Sequence, residues 1–267
     1  MTPVSAIVRN KLLASMAPHL FERMRPHLQL ITLKQKAILQ EHNRAIEHIY
    51  FLERGVASLF ARTQSDGPVA ISIVGPRGFI GVAAVLGKTR SPNRCVMEVP
   101  GQALRIAAQE LDRIMNEMPE LRLHLLAYVH ALLIQNSQVA LCNVRHELLE
   151  RLCRWLLLAA DRFEEKVIPL THDQLAVTMG VRRAGITAAL STLETMGAIV
   201  KTRGAIEIAD RAMLEHETCE CYRIITSEYR YFTCAGTYQH YVERPVPAID
   251  KPKKSSIASP DIMLLAH

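Results

Sequence analysis

Although the sequence contains six cysteines (Cys95, Cys142, Cys153, Cys219, Cys221, Cys234), none is spaced as a CxxC metal motif. Scattered in this way, they read as reduced thiols rather than as a zinc ribbon or a disulfide framework. A nucleophile elbow, a phosphate-binding glycine loop and an HExxH pair are equally absent, so no motif speaks for an enzyme. No uninterrupted apolar run approaches the roughly 20 residues that cross a bilayer. The first segment carries Arg9 and Lys11 inside its apolar stretch, unlike a secretory core. The expectation is a cytoplasmic protein with no membrane partner. Acidic side chains are missing from Gln174 through Leu193, a stretch that contains Arg182 and Arg183.

What is present fills two domains. The chain has 267 residues, 49% of them hydrophobic and 22% charged, which suits a globular protein with a substantial core. A net charge of +6 favours a polyanionic partner.

Periodicity divides the chain. Ile7, Leu12, Leu13 and Met16, then Leu20, Phe21 and Met24 after Pro18, predict a pair of short amphipathic helices. From about Leu28 the segments LQLITL, KAILQ, HIYFL, GVASLFAR, VAISIVG, CVMEV and ALRI are short, rich in Val and Ile, and separated by Gly, Pro, Asn and Asp. Many short strands without long helices between them indicate an antiparallel jelly roll. Helical pattern resumes at Ala107 and strengthens after Pro119, a good first-turn proline. Leu121, Leu125, Tyr128, Leu132, Gln135 and Val139 trace a heptad-like seam, and Leu123, Leu126, Leu133 and Ile134 a second apolar side. A helix of about 25 residues would span about 37 Å. Two apolar sides allow one to pack on its own domain and the other on a second copy. Glu147 to Arg162 forms the next helix, with Trp155 as core.

Thr171 to Gly197 is the most informative stretch. Thr171 with Gln174 forms a capping box, and Gly180 can stop the first helix in the left-handed conformation. A second helix follows from about Arg182, with Ile186, Ala189, Leu190, Leu193 and Met196 inward. Helix, glycine turn and helix is the pattern of a DNA-binding helix-turn-helix. Ile199 to Ile208 then alternates around Arg203-Gly204-Ala205 as a β-hairpin, a wing that brings Lys201 and Arg203 to DNA phosphates. Asp210 caps a further helix running to about Tyr229, and a disordered tail is expected from 243.

This order of parts resembles the Crp/Fnr family of bacterial transcription regulators, over about residues 10 to 225. The specific pieces are Gly78-Phe79-Ile80-Gly81, the run from Arg151 to Leu157, Leu170 to Leu193, and Cys219-Glu220-Cys221-Tyr222. The expected fold is α+β. An N-terminal antiparallel β jelly roll of the cyclic-nucleotide-binding type (1–106) precedes a connecting and dimerisation helix (107–145). A winged helix-turn-helix (146–213), a C-terminal helix and extension (214–242) and the tail (243–267) complete the division.

The resemblance implies a homodimer on double-stranded DNA, with RNA polymerase as a further partner. Its DNA-binding positions fall on Thr171, His172, Arg182, Arg183, Gly185, Thr187, Ala188, Lys201 and Arg203. Family members place an Arg or Glu at Arg183 and Ala184 and an Arg at Ala188, so only Arg183 keeps a base-reading side chain. Effector-pocket positions fall on Gly78, Phe79, Ile80, Gly81, Val82, Arg90, Ser91 and Arg94. Val82 stands where cyclic-AMP binders place a glutamate for the ribose, and Arg90-Ser91 arrives early and is followed by proline. Cyclic nucleotide is therefore not expected. Neither is an iron–sulfur cluster, because no cysteine precedes Cys95, nor a haem, because His42, His48, His124 and His130 lie in no diagnostic motif. A remaining metal or redox option is His216 with Cys219, Cys221 and Cys234; packing of small residues is the alternative. The leading reading is a transcription regulator without catalysis, the alternative a small-ligand sensor module that controls DNA binding.

Overall fold

The computed structural model describes residues 8–61, 67–163 and 167–234. The expected tail from 243 lies outside them. At the N-terminal end, α1 (Lys11–Ala14) and α2 (Pro18–Met24) are the two short helices that the periodicity predicts. The first is a single turn, too short to persist alone. Buried Asn10 holds it: Oδ1 accepts from the Leu13 amide at 3.0 Å, and Nδ2 donates to the carbonyls of Leu52 and Gly78 at 2.9 Å each.

Six antiparallel strands follow: β1 (Gln29–Leu33), β2 (Ile38–Gln40), β3 (His48–Ala61), β4 (Val69–Val74), β5 (Phe79–Ile80) and β6 (Arg94–Ala107). They pair in the order β1-β6-β3-β4, with β2 on β6 and β5 on β3. The sequence suggests four short strands where the structure has two long ones, β3 and β6, of 14 residues each. The glycines at the junctions of those short segments are bends inside the long strands. Gly55 takes a φ of +86°, and a Cβ there would lie 2.7 Å from the Val99 carbonyl oxygen. A Cβ on Gly101 would meet the Arg54 carbonyl at 2.0 Å. The two strands kink together at this crossing, where only hydrogen fits. Side chains then alternate between two faces. Leu33, Leu52, Ile80, Cys95 and Met97 pack on one; Ile49, Phe51, Phe79, Leu104 and Ile106 join the helices on the other.

After α3 (Val82–Val85) and α4 (Ala108–Glu117), the long helix α5 (Pro119–Arg145) crosses the molecule. Its length and composition would suffice for a membrane span, yet one side is packed on the chain itself. Leu121, Leu125, Tyr128, Leu132 and Gln135 of the heptad-like seam are buried. Leu123, Leu133, Leu141 and Val144 on the other side are exposed. Beyond α5 come α6 (Leu148–Phe163), β7 (Val167–Ile168), α7 (His172–Met179), α8 (Arg183–Thr195), β8 (Ile199–Thr202) and β9 (Ala205–Ile208). The three strands form a second small sheet, β7-β9-β8.

The single helix expected from Asp210 to about Tyr229 is two. Asp210 caps α9 (Arg211–Glu217), its Oδ1 accepting from the Met213 amide, but Thr218 has an extended backbone and ends it. A new helix, α10 (Cys221–Cys234), begins three residues later. Apolar spacing alone would continue the helix here; at the break Cys219 and Cys221 are instead buried against Cys142 of α5.

One apolar cluster runs from Leu12 through Tyr128 and Trp155 to Ile225 and Tyr229, joining both halves of the chain. Polar contacts cross the same junction. Buried Arg162 of α6 donates to the Leu158 carbonyl and to Oε1 of Gln135 on α5, whose amide donates to Ser72 of β4. Its guanidinium also lies 5.3 Å from the centre of the Tyr229 ring.

Candidate nucleic-acid interface

The helix-turn-helix forms for the reasons visible in the sequence. Thr171 Oγ1 accepts from the Gln174 amide, the Gln174 side chain returns the contact to the Thr171 amide at 2.9 Å, and Gly180 closes α7 at φ +64°. In α8, Ile186, Leu190 and Leu193 are buried. The opposite stripe, Arg183, Ala184, Thr187, Ala188, Ser191 and Thr192, is exposed. Gly204 takes φ +81° in the wing turn, as the hairpin requires.

The named positions serve different ends. Thr171 is occupied as a cap. His172 Nδ1 lies 3.1 Å from Thr187 Oγ1 and ties the two helices together. Arg182 is the N-cap position of α8 and exposed. Gly185 faces away from the exposed stripe: a Cβ there would lie 3.2 Å from Leu148 of α6. Ala188 is exposed but carries no hydrogen-bonding group. Arg183 projects from the first turn of α8, 66% exposed, and pairs with Asp173 of α7 at 3.4 Å. That carboxylate sits one residue before the acid-free stretch.

Lys201 ties the wing to α8. Its ammonium lies 2.8 Å from Glu194 Oε2 and donates to Ser191 Oγ, and its amide donates to Glu194 Oε1. These hydrogen bonds hold the Glu194 carboxyl below the usual range. Arg203 is exposed at the wing tip and makes no ion pair among the described residues. Sequence spacing did not single out Ser191, Asp173 or Glu194; their roles arise from chain reversals that bring the wing and α7 beside α8. The unit also leans on the β-roll, where Gln174 Nε2 donates to Glu98 Oε2 at 3.3 Å. Burial raises the Glu98 carboxyl and the Gln174 bond opposes that rise.

The effector-pocket positions separate into packing and surface roles. Gly78 lies under the Tyr128 ring of α5, where a Cβ would come within 2.2 Å. Phe79 stacks on the same ring with centroids 4.9 Å apart. Ile80 is buried among the other face's apolar side chains, and Gly81 at φ +102° leads into α3, which begins at Val82. Arg90 lines a surface cleft with His42, Asn43, Arg44 and Glu47. Buried Ser91 accepts from the Asn93 amide, and Arg94 pairs with Glu41 at 3.3 Å.

The four histidines considered for haem have separate partners. His42 contacts the Pro92 carbonyl, His48 lies beside Tyr50, His124 meets the Leu12 carbonyl and His130 faces Glu228. Burial lowers the His124 pKa. The C-terminal metal option is rearranged. Because α9 ends at Glu217, His216 is exposed and contacts Glu217. Cys219 and Cys221 instead meet Cys142 and His146 at the end of α5. Cys234 closes α10, and its side chain lies outside the described residues.

Comparison with known proteins follows the same division. A cyclic nucleotide-binding domain model matches residues 30–118 and a Crp-like helix-turn-helix domain model matches residues 150–217. The structure of FixK2 from Bradyrhizobium japonicum is 14% identical, with 72% of this chain and 98% of that one covered and a TM-score of 0.63. The c-di-GMP responsive global regulator CLP of Xanthomonas campestris is 13% identical, covering 73% and 100%, with a TM-score of 0.61. A Crp/Fnr family transcriptional regulator from Thermus thermophilus is 20% identical, covering 71% and 97%, with a TM-score of 0.59. No curated protein matches by sequence. A β-roll, a long helix and a winged helix-turn-helix in one chain define a DNA-binding transcription regulator, not an enzyme. The chain belongs to the Crp/Fnr family.

Proposed function

We propose that two copies pair along the exposed side of α5 and set their α8 helices in successive major grooves of a two-fold-related DNA site. The observation that carries this reading is the open seam on α5. Leu123, Leu133, Leu141 and Val144 are 41, 59, 47 and 82% exposed, on a helix whose opposite side is fully packed. Leu126, Leu133 and Ala140 recur every seven residues, and so do Ala127, Ile134 and Leu141, the spacing of a two-helix seam. An apolar stripe of this length is rare on a monomer's surface.

In this reading Arg183 reads a base, and Arg203 and the amides at the start of α7 meet phosphates. Cyclic nucleotide plays no part: Val82 offers no carboxylate, and Arg94 is already matched by Glu41. Neither haem nor an iron–sulfur cluster is invoked. RNA polymerase as partner and a cytoplasmic location rest on family membership alone.

Sedimentation of the wild type and of a Leu133→Glu/Val144→Glu variant tests the pairing. The expected result is a wild-type dimer and a variant monomer that is folded by circular dichroism and binds operator DNA at least tenfold more weakly. Sites selected from random DNA should contain two half-sites about 34–36 Å apart. A wild-type monomer, or a lone half-site, overturns the reading. So does micromolar binding of cyclic AMP or cyclic GMP that changes DNA affinity, for the effector part.

A further inference from the structure

The C-terminal end of α5 carries Cys142 and, four residues on, His146, which share one side of the chain there. The link between α9 and α10 brings Cys219 and Cys221 against them. Sγ of Cys142 and Sγ of Cys219 are 3.5 Å apart, and Sγ of Cys221 lies 3.6 Å from Nδ1 of His146. All four donor atoms lie within 4.8 Å of one another. The three cysteines are buried in a small cluster of their own, apart from the main core, and His146 is half-buried.

The donor set and spacing suit one kind of ion. A tetrahedral zinc ion, with bonds of about 2.3 Å to sulfur and about 2.0–2.1 Å to nitrogen, separates neighbouring donors by about 3.5–3.8 Å. The 3.5 Å and 3.6 Å separations fall within that range, and the remaining donor pairs, all within 4.8 Å, need only close slightly around the ion. Thiolates with one imidazole exclude magnesium, calcium and manganese, which take oxygen donors. A Cys142–Cys219 disulfide would use two of the four groups and leave Cys221 and His146 converging for no reason.

A second observation comes from α6. Arg154 is 3% exposed, makes no ion pair among the described residues, and its charge acts on Cys142. A buried cation without a counter-charge is strongly unfavourable. Three thiolates around a divalent ion leave one negative charge, which Arg154 offsets.

We propose that Cys142, His146, Cys219 and Cys221 form a closed structural zinc site that clamps the α9–α10 link to the end of α5. The three thiol protons pass to solvent as the ion binds, and neutral His146 contributes Nδ1. The clamp lies where the long helix gives way to α6, so it fixes the last two helices to the joint between the β-roll and the DNA-binding unit. It adds a metal to the regulator and does not depend on how the chain pairs or reads DNA.

The test uses the full chain purified under reducing conditions without added metal. Elemental analysis and native mass spectrometry should find one zinc per chain. The variants Cys219→Ser, Cys221→Ser and His146→Ala should each lower zinc affinity at least about tenfold. Cys153→Ser and His216→Ala should keep full occupancy. Because serine variants of a structural site sometimes fail to fold, the wild type is also stripped with chelator and titrated with cobalt. One equivalent should give the intense visible bands of tetrahedral cobalt and a thiolate charge-transfer band. Weak octahedral bands, no cobalt uptake, or a Cys142–Cys219 disulfide in the reduced preparation overturns the proposal. Iron in place of zinc also overturns it.

Discussion

The side chains proposed to meet DNA differ in how free they are. Arg183 is exposed but shared with Asp173, whereas Arg203 at the wing tip makes no ion pair among the described residues. Replacing Arg183 by Ala should therefore relax preference at one base pair by about 1–3 kcal/mol. Arg203→Ala should weaken all sequences alike and lower the salt slope by about one. Lys201→Ala should weaken binding less than Arg203→Ala, because Lys201 is held by Glu194 and Ser191. Asp173→Asn should raise affinity up to about fivefold at low salt, the scale of an exposed ion pair. Gel-shift titrations over a salt series read all four. Equal losses from Arg183→Ala and Arg203→Ala would contradict the division of roles. Arg183 and Arg203 were legible in the sequence because each falls at a defined point of a recognisable local motif. Asp173, Glu194 and Ser191 were not, since their contacts depend on how the turn and wing fold back. The cysteine site was half legible: Cys219 and Cys221 stood out, but their partner Cys142 lies 77 residues from Cys219 and gave no local signal.

Among elements, α1 shows how a four-residue helix survives by attachment. Asn10 is fully buried, caps the helix and bridges it to β3 and to the turn before β5. Glu53 adds to this anchor by accepting from the amides of Arg9 and Asn10, and burial raises its carboxyl while those bonds oppose the rise. Asn10→Ala leaves two buried carbonyls and one amide short of a partner. It should cost about 2–3 kcal/mol in denaturant unfolding at an unchanged slope. A loss below about 0.5 kcal/mol would show that water replaces it. The element types were largely readable, since apolar period separates strand from helix. Boundaries failed where a breaker sits inside an element: Gly55 and Pro100-Gly101 bend long strands without ending them. The reverse held at Thr218, where no glycine or proline announces the break.

At the scale of the molecule, both halves share one core and the Arg162–Gln135–Ser72 contacts cross between them. The chain should therefore unfold in one cooperative thermal transition rather than two. A calorimetric trace with two resolved transitions would contradict this coupling. Operator DNA should raise that single midpoint, because a ligand of the winged unit stabilises everything that unfolds with it.

Trp155 is the sequence's one tryptophan. It is buried on α6, beside a small cavity lined by Ile71, Ser72 and Ile73 of β4, Gln135 of α5, and Thr178 and Met179 of α7. Its indole nitrogen has no hydrogen-bond partner among the described residues. The protein thus carries a built-in optical gauge at the meeting point of roll, long helix and DNA-binding unit. A shift of α7 against β4 changes the polarity around that indole and moves its emission. Unlabelled protein can report, by its own fluorescence, whether a signal reaching the roll is felt at the DNA.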